Sequence, residues 1–134
     1  MRYLGVDLGD VRTGLALSDP HGVVCSPLEV VEERDRERLL LRIMEAARAH
    51  DVEKIVVGLP RPLRGGTNTQ VDKVREFVVT LAERTATEVE TWDERFTSQM
   101  AESGGASGPS RDAVAACYML QNYLDSRAKR RGEE

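Results

Sequence analysis

Cysteine and histidine are scarce in this sequence, positive charge is not in excess, and each shortage narrows what the protein can be. Cys25 and Cys117 are the only two cysteines among 134 residues. They stand far apart without metal-ligand spacing, so they read as two buried, inert thiols. His21 and His50 have no metal-like partners near them in sequence and read as surface residues. No apolar run is long enough to span a membrane, and no signal-peptide pattern precedes the strand-like segment that begins beside Met1. A cytoplasmic location with no membrane partner is the expectation. The formal charge of −4 argues against binding nucleic acid by bulk electrostatics. It does not argue against chemistry on nucleic acid, because divalent cations offset clustered carboxylates and basic residues can still gather on one face.

What the chain does have is the balance of a globular protein, with 31% charged and 40% hydrophobic residues. Its length suits a single domain, expected over residues 1–125, followed by a polar tail at 126–134 expected to fray. There is no internal repeat. Tyr3 to Val6 and Leu15 to Leu17 flank a segment holding Gly9, Asp10 and Gly14, which predicts a β-hairpin. Gly22 to Val31 is rich in β-branched residues but interrupted by Pro27, so a third strand is expected at an edge or with a bulge. From Arg34 to His50 the period changes, and Leu39, Ile43, Ala46 and Ala47 share one helical face.

Lys54 to Gly58 reads as a strand buried on both faces. A second helix, capped by Thr67 or Asn68, carries the stripe Val71, Val74, Phe77, Val78 and Leu81. A brief strand follows from Glu88 to Thr91, leading into Trp92, Asp93 and Glu94. A short helix is expected from Thr97 to about Ser103, then a long one opened by Ser110 with Ala115, Ala116, Met119, Leu120, Tyr123 and Leu124 on its buried face. Helical crossovers make the later strands parallel and place them beside the first. The expected fold is α/β: a mixed five-stranded sheet, antiparallel over its first three strands and parallel over the first, fourth and fifth, covered by helices.

In such a sheet, functional residues gather at the carboxyl ends of the parallel strands. Asp7 ends the first strand, Glu94 follows the last, and Asp112 opens the helix that packs back on the sheet. Converging carboxylates repel one another unless a cation offsets them, and hard divalent ions such as Mg²⁺ or Mn²⁺ take oxygen ligands of this kind. A pair of such ions suits phosphodiester hydrolysis, one activating water and the other stabilising the leaving oxygen. Asp93 competes with Glu94, since alternation along a strand does not say which of the two faces the site.

Four segments carry a resemblance. Val-Asp-Leu-Gly-Asp-Val-Arg-Thr-Gly-Leu-Ala at 6–16, Ile-Val-Val-Gly-Leu-Pro at 55–60, Asp-Glu-Arg-Phe-Thr-Ser at 93–98, and Asp112 followed by Ala115-Ala116 and Leu120-Gln121-Asn122-Tyr123-Leu124-Asp125 resemble the YqgF/RuvX family. They occur in register over nearly the whole chain. The resemblance implies a ribonuclease H-like fold related to RuvC-type Holliday junction resolvases. It also implies a divalent-metal-dependent endonuclease maturing the 5′ end of precursor 16S ribosomal RNA in ribosome biogenesis, with branched DNA as the alternative substrate. Carried over position by position, the family's acidic triad falls on Asp7, Glu94 and Asp112, as catalytic residues and metal ligands. The family's connection before the last acid is longer and rich in Lys and Arg; here Gly104 to Pro109 has no basic residue.

Other residues admit both readings. Arg12, Arg61, Arg64 and Arg95 are candidates for phosphate contacts, against ordinary surface arginines. Gly65, Gly66 and Thr67 run into a helix N-terminus and could face a phosphate, against a plain helix cap. Asp10 reads as a turn residue. Trp92 could stack a base but suits the core, and Arg127, Lys129, Arg130 and Arg131 could touch nucleic acid or simply end a helix. Asp-x-Gly followed by Thr-Gly-Leu-Ala also looks like the phosphate-binding hairpin of actin, hexokinase and Hsp70 ATPases, which need two lobes where this chain has one. A noncatalytic ribosome-assembly protein is the third possibility. Cutting a two-fold symmetric junction would suit a homodimer, and trimming an RNA end a monomer.

Overall fold

The computed structural model describes residues 1–59, 69–93 and 110–132. In chain order the elements are β1 Tyr3–Asp7, β2 Arg12–Ser18, β3 Cys25–Glu32, α1 Arg36–Ala49, β4 Lys54–Leu59, α2 Thr69–Arg84, β5 Glu88–Asp93 and α3 Ser110–Gly132. One sheet runs in the order β3-β2-β1-β4-β5, with β1/β2 and β2/β3 antiparallel and β1/β4 and β4/β5 parallel. This is the expected mixed topology. Pro27 sits where a missing donor costs least: β3 is an edge strand, and its register shifts between Leu15 and Ala16, opposite Glu29 and Pro27.

Helix α1 starts later than its apolar period suggested, because Asp35 caps it. The Asp35 Oδ1 accepts from the Glu37 and Arg38 N–H groups at 2.9 and 3.2 Å. The chain leaves α1 through His50 and through Asp51, whose φ of 53° is left-handed. At the other end of the molecule, α3 continues past Asp125 to Gly132, in place of the expected frayed tail from 126. Ser126-Arg-Ala-Lys-Arg-Arg contains no helix breaker before that glycine. The caps expected at Thr67 or Asn68 and the short helix at Thr97 to Ser103 lie outside the described residues. No helix among those described is long and apolar enough to cross a membrane.

Two apolar layers enclose the sheet. Leu4, Val6, Leu15, Ile55 and Val57 pack against Leu39 and Ile43 of α1 and Val74, Phe77 and Leu81 of α2. On the opposite face Tyr3, Ala16 and Val56 pack against Ala116, Met119, Leu120, Tyr123 and Leu124 of α3. Side chains alternate across a strand, so odd positions of β1 and even positions of β4 face α3.

Lys54, read from sequence only as the start of a buried strand, is the polar centre of this second layer. Its side chain is 9% exposed, and Nζ lies 2.8 Å from Glu88 Oε2, 3.0 Å from Glu90 Oε1 and 3.4 Å from Tyr123 Oη. Burial disfavours its charge, but the hydrogen bonds to Glu88, Glu90 and Tyr123 outweigh that and raise its pKa. The hydrogen bond from Lys54 in turn holds the Glu88 carboxyl below its usual range. Lys54→Met leaves two neighbouring carboxylates without their cation and is expected to cost about 1–2 kcal/mol at neutral pH. A carboxyl with a depressed folded pKa contributes stability above its unfolded pKa and loses it as pH falls through the folded value. The gap between wild type and variant in urea unfolding should therefore narrow from neutral pH to below about pH 4. An identical gap at both would contradict the electrostatic account.

Candidate active site

The carboxyl end of the parallel strands is where the site must form if the acids are to converge, and the chain builds it from both of its ends. Asp7 is the last residue of β1 and is half-buried. By parity it lies on the α3 side of the sheet, with Tyr3 and Gly5. Its partner across the antiparallel ladder is Gly14 of β2. Nothing larger than hydrogen fits at Gly14: a Cβ there would overlap the Asp112 carbonyl and stand 2.8 Å from the Ala113 nitrogen. The first turn of α3 therefore rests directly on the residue paired with Asp7. Gly5 allows the same approach further along, since a Cβ there would meet Leu120 Cβ at 2.9 Å.

Asp112 sits in that first turn with its side chain 31% exposed. The Nε of Arg12, the first residue of β2, donates to its Oδ2 at 3.1 Å. The structure thus places Arg12 against a candidate acid, in a position also open to a phosphate, since half of its side chain is exposed. The connection from β1 to β2 is tight: a Cβ at Gly9 would overlap the Arg12 carbonyl, and the Gly9 N–H donates to Thr13 Oγ1 at 3.3 Å.

Sequence reading missed Arg36. The first residue of α1 donates from Nη2 to the Gly9 carbonyl at 3.0 Å and lies 3.5 Å from Asp10 Oδ1, fixing the hairpin turn from outside. Asp10 is exposed, in keeping with a turn residue. Only the amphipathic start of α1 hinted at Arg36, and nothing local links it to a turn so far back in the chain. Beside it, on the α1/α2 face, lies a cavity of about 430 Å³ lined among others by Leu8, Lys73, Phe77 and Thr80.

Strand β5 brings the third position toward the same end. Glu90 reaches Lys54 and Tyr123, and Trp92 stands edge-on to the Tyr123 ring at 5.4 Å, so the even positions of β5 face α3. Trp92 belongs to this apolar layer, the core reading of the two. Arg127 is also engaged there, 5.6 Å above the Tyr123 ring. Glu94, Arg61, Arg64, Arg95 and the Gly65-Gly66-Thr67 loop lie outside the described residues, as does the side chain of Asp93. Among the described residues no three potential metal ligands cluster. Asp7 and Asp112 are the two members of the expected triad that are described.

Similarity to known proteins agrees with this geometry. The family model described as "RuvX: Holliday junction resolvase" matches residues 1–126. A protein of Desulforudis audaxviator named "Putative pre-16S rRNA nuclease" is 42% identical over 135 residues, covering 95% of this chain and 96% of its own. Among solved structures, Thermus thermophilus RuvC in complex with a Holliday junction superposes with a TM-score of 0.64 at 19% identity, covering 96% of each chain, which makes the fold ribonuclease H-like. The ROK hexokinase of Thermus thermophilus shares the fold at a TM-score of 0.50 and 24% identity. Only 39% of that chain is covered, against 81% of this one. With the family model spanning its length and a near-full-length relative at this identity, the chain belongs to the RuvX family.

Proposed function

We propose that the protein is a divalent-metal-dependent endonuclease that hydrolyses phosphodiester bonds, with the 5′ end of precursor 16S rRNA as its substrate. The observation that carries this is the seating of Asp112 on Gly14, which brings carboxylates from the two ends of the chain to the carboxyl edge of one sheet. Glu94 completes the triad in this reading. It continues the even parity of Glu90 and Trp92, which favours it over Asp93.

The donor set fits a hard cation. Asp7 and Asp112 supply carboxylate oxygens, Glu94 would add another, and neither cysteine nor histidine belongs to the set. Mg²⁺ or Mn²⁺, as a pair of ions, would offset the carboxylate repulsion and stabilise charge developing at the phosphorus. The chain's own residues do the rest. Asp7 and Asp112 hold the cations in place, while Arg12 is close enough to Asp112 to orient it and exposed enough to meet a backbone phosphate. Arg61, Arg64 and Arg95 are proposed for the same backbone contacts.

The name of the Desulforudis relative favours RNA; the family description and the RuvC likeness favour resolution of branched DNA by a homodimer. Side-by-side cleavage of a pre-16S leader and a four-way junction, with Mg²⁺ and with Mn²⁺, decides between them. Faster cutting of the leader is expected. Junction cutting alone would transfer the assignment to DNA, and no hydrolysis of either with either metal would leave a noncatalytic assembly protein. Thermal stabilisation by Mg-ATP beyond that by Mg²⁺ alone would favour the ATPase reading instead.

A further inference from the structure

The two thiols that look unrelated in sequence meet in the fold. Cys25 opens the edge strand β3, and Cys117 lies in the second turn of α3. Their Sγ atoms are 3.0 Å apart, and Cys25 Sγ donates to the Cys117 carbonyl at 2.9 Å. Both residues are half-buried rather than sealed in the core, which corrects the expectation of two buried, inert thiols. Side-chain bonds pin the same junction: the Cys25 N–H donates to Gln121 Oε1 at 3.0 Å, and Gln121 Nε2 donates to the Val23 carbonyl at 2.8 Å. Val23 and Val24, just before Cys25, are 60% and 61% exposed, so a small reagent can approach along the strand end.

We infer that Cys25 and Cys117 are a modification site for thiol–disulfide exchange, closing to an intramolecular disulfide when the protein meets a low-molecular-weight disulfide. The hydrogen bond from the Cys25 thiol lowers the pKa of Cys117, and the same bond together with burial raises that of Cys25. Cys117 is therefore the first nucleophile. Its thiolate attacks one sulfur of the oxidant R–S–S–R, forming a mixed disulfide and releasing RS⁻. Cys25 then gives up its proton and attacks Cys117 Sγ, releasing the second RS⁻. The protein loses two electrons and two protons, and the oxidant becomes two RSH.

A disulfide needs the sulfurs about 1 Å closer than they stand. That movement falls on the strand end beside the exposed Val23 and Val24, while α3 is held by its packed face. The bond would tie β3 to the helix that carries Asp112, and it would close a loop spanning most of the chain, the case in which a cross-link restricts the unfolded state most.

The test is incubation of the full chain with oxidised glutathione, followed by intact mass, alkylation and thermal unfolding. Expected are a monomer lighter by two hydrogen atoms, loss of both alkylation sites, a Tm higher by roughly 5–10 °C, and reversal by dithiothreitol. Cys25→Ser should stop at a glutathione adduct on Cys117. A wild-type product that is doubly glutathionylated, linked between two chains or unreacted would overturn the inference, as would a closed disulfide that leaves Tm unchanged.

Discussion

Asp7→Asn is expected to reduce phosphodiester cleavage by about a thousandfold or more while the protein stays folded. The amide replaces a charged oxygen donor with a neutral one at nearly constant shape, so packing at the end of β1 is kept and cation binding is not. Three decades in rate correspond to about 4 kcal/mol of lost transition-state stabilisation, within what a cation contributes at a phosphoryl centre. The fold should tolerate the change. Asp7 is half-buried on the α3 side of the sheet, beside the strand residue that seats Asp112, so removing one of two like charges relieves repulsion. The measurement pairs a cleavage rate with a melting curve: activity lost, Tm equal to wild type or a few degrees higher. Undiminished metal-dependent cleavage by Asp7→Asn would remove Asp7 from the site. A collapse of Tm would make it a structural aspartate of the hairpin.

The sheet order was legible because each strand declared its own environment. β4 is apolar at every position from Ile55 to Val57 and is buried on both faces, and Pro27 in β3 pointed to an edge. The helix stripes were equally plain, since Val74, Phe77 and Leu81 recur at helical spacing and all pack inward. Contacts made between distant segments were not legible. Lys54 with Glu88 and Glu90, Arg36 with the Gly9 carbonyl, and Cys25 with Cys117 join residues whose local sequence carries no sign of the partner. The candidate site divides along the same line. Asp7 and Asp112 could be picked out as acids at an element's end and an element's start. That Gly14 seats one near the other depends on how closely a helix approaches a sheet, which no periodicity encodes.

Gly14→Ala should for that reason damage the protein more than its size suggests. The added Cβ would overlap the Asp112 carbonyl, with the Ala113 nitrogen 2.8 Å away. These are backbone atoms on the first turn of α3, and no rotamer change can make room for a methyl group. The helix start must lift from β2, loosening the 3.1 Å bond from Arg12 to Asp112 and moving that carboxylate away from the Asp7 strand. Overpacking of this kind costs about 1–3 kcal/mol, a Tm loss of roughly 5–15 °C in a domain of this size. Cleavage should fall by about a hundredfold even where the variant is folded, because a misplacement near 1 Å suffices for that. Gly5→Ala is the control. Its Cβ would meet the Leu120 side chain at 2.9 Å, two turns further along α3, so it should lose stability and keep most of its cleavage at low temperature. Equal loss of cleavage in both variants would mean that α3 acts only as packing. A separation of the two would show that the glycine opposite Asp7 sets the position of Asp112, and with it the spacing of the acids.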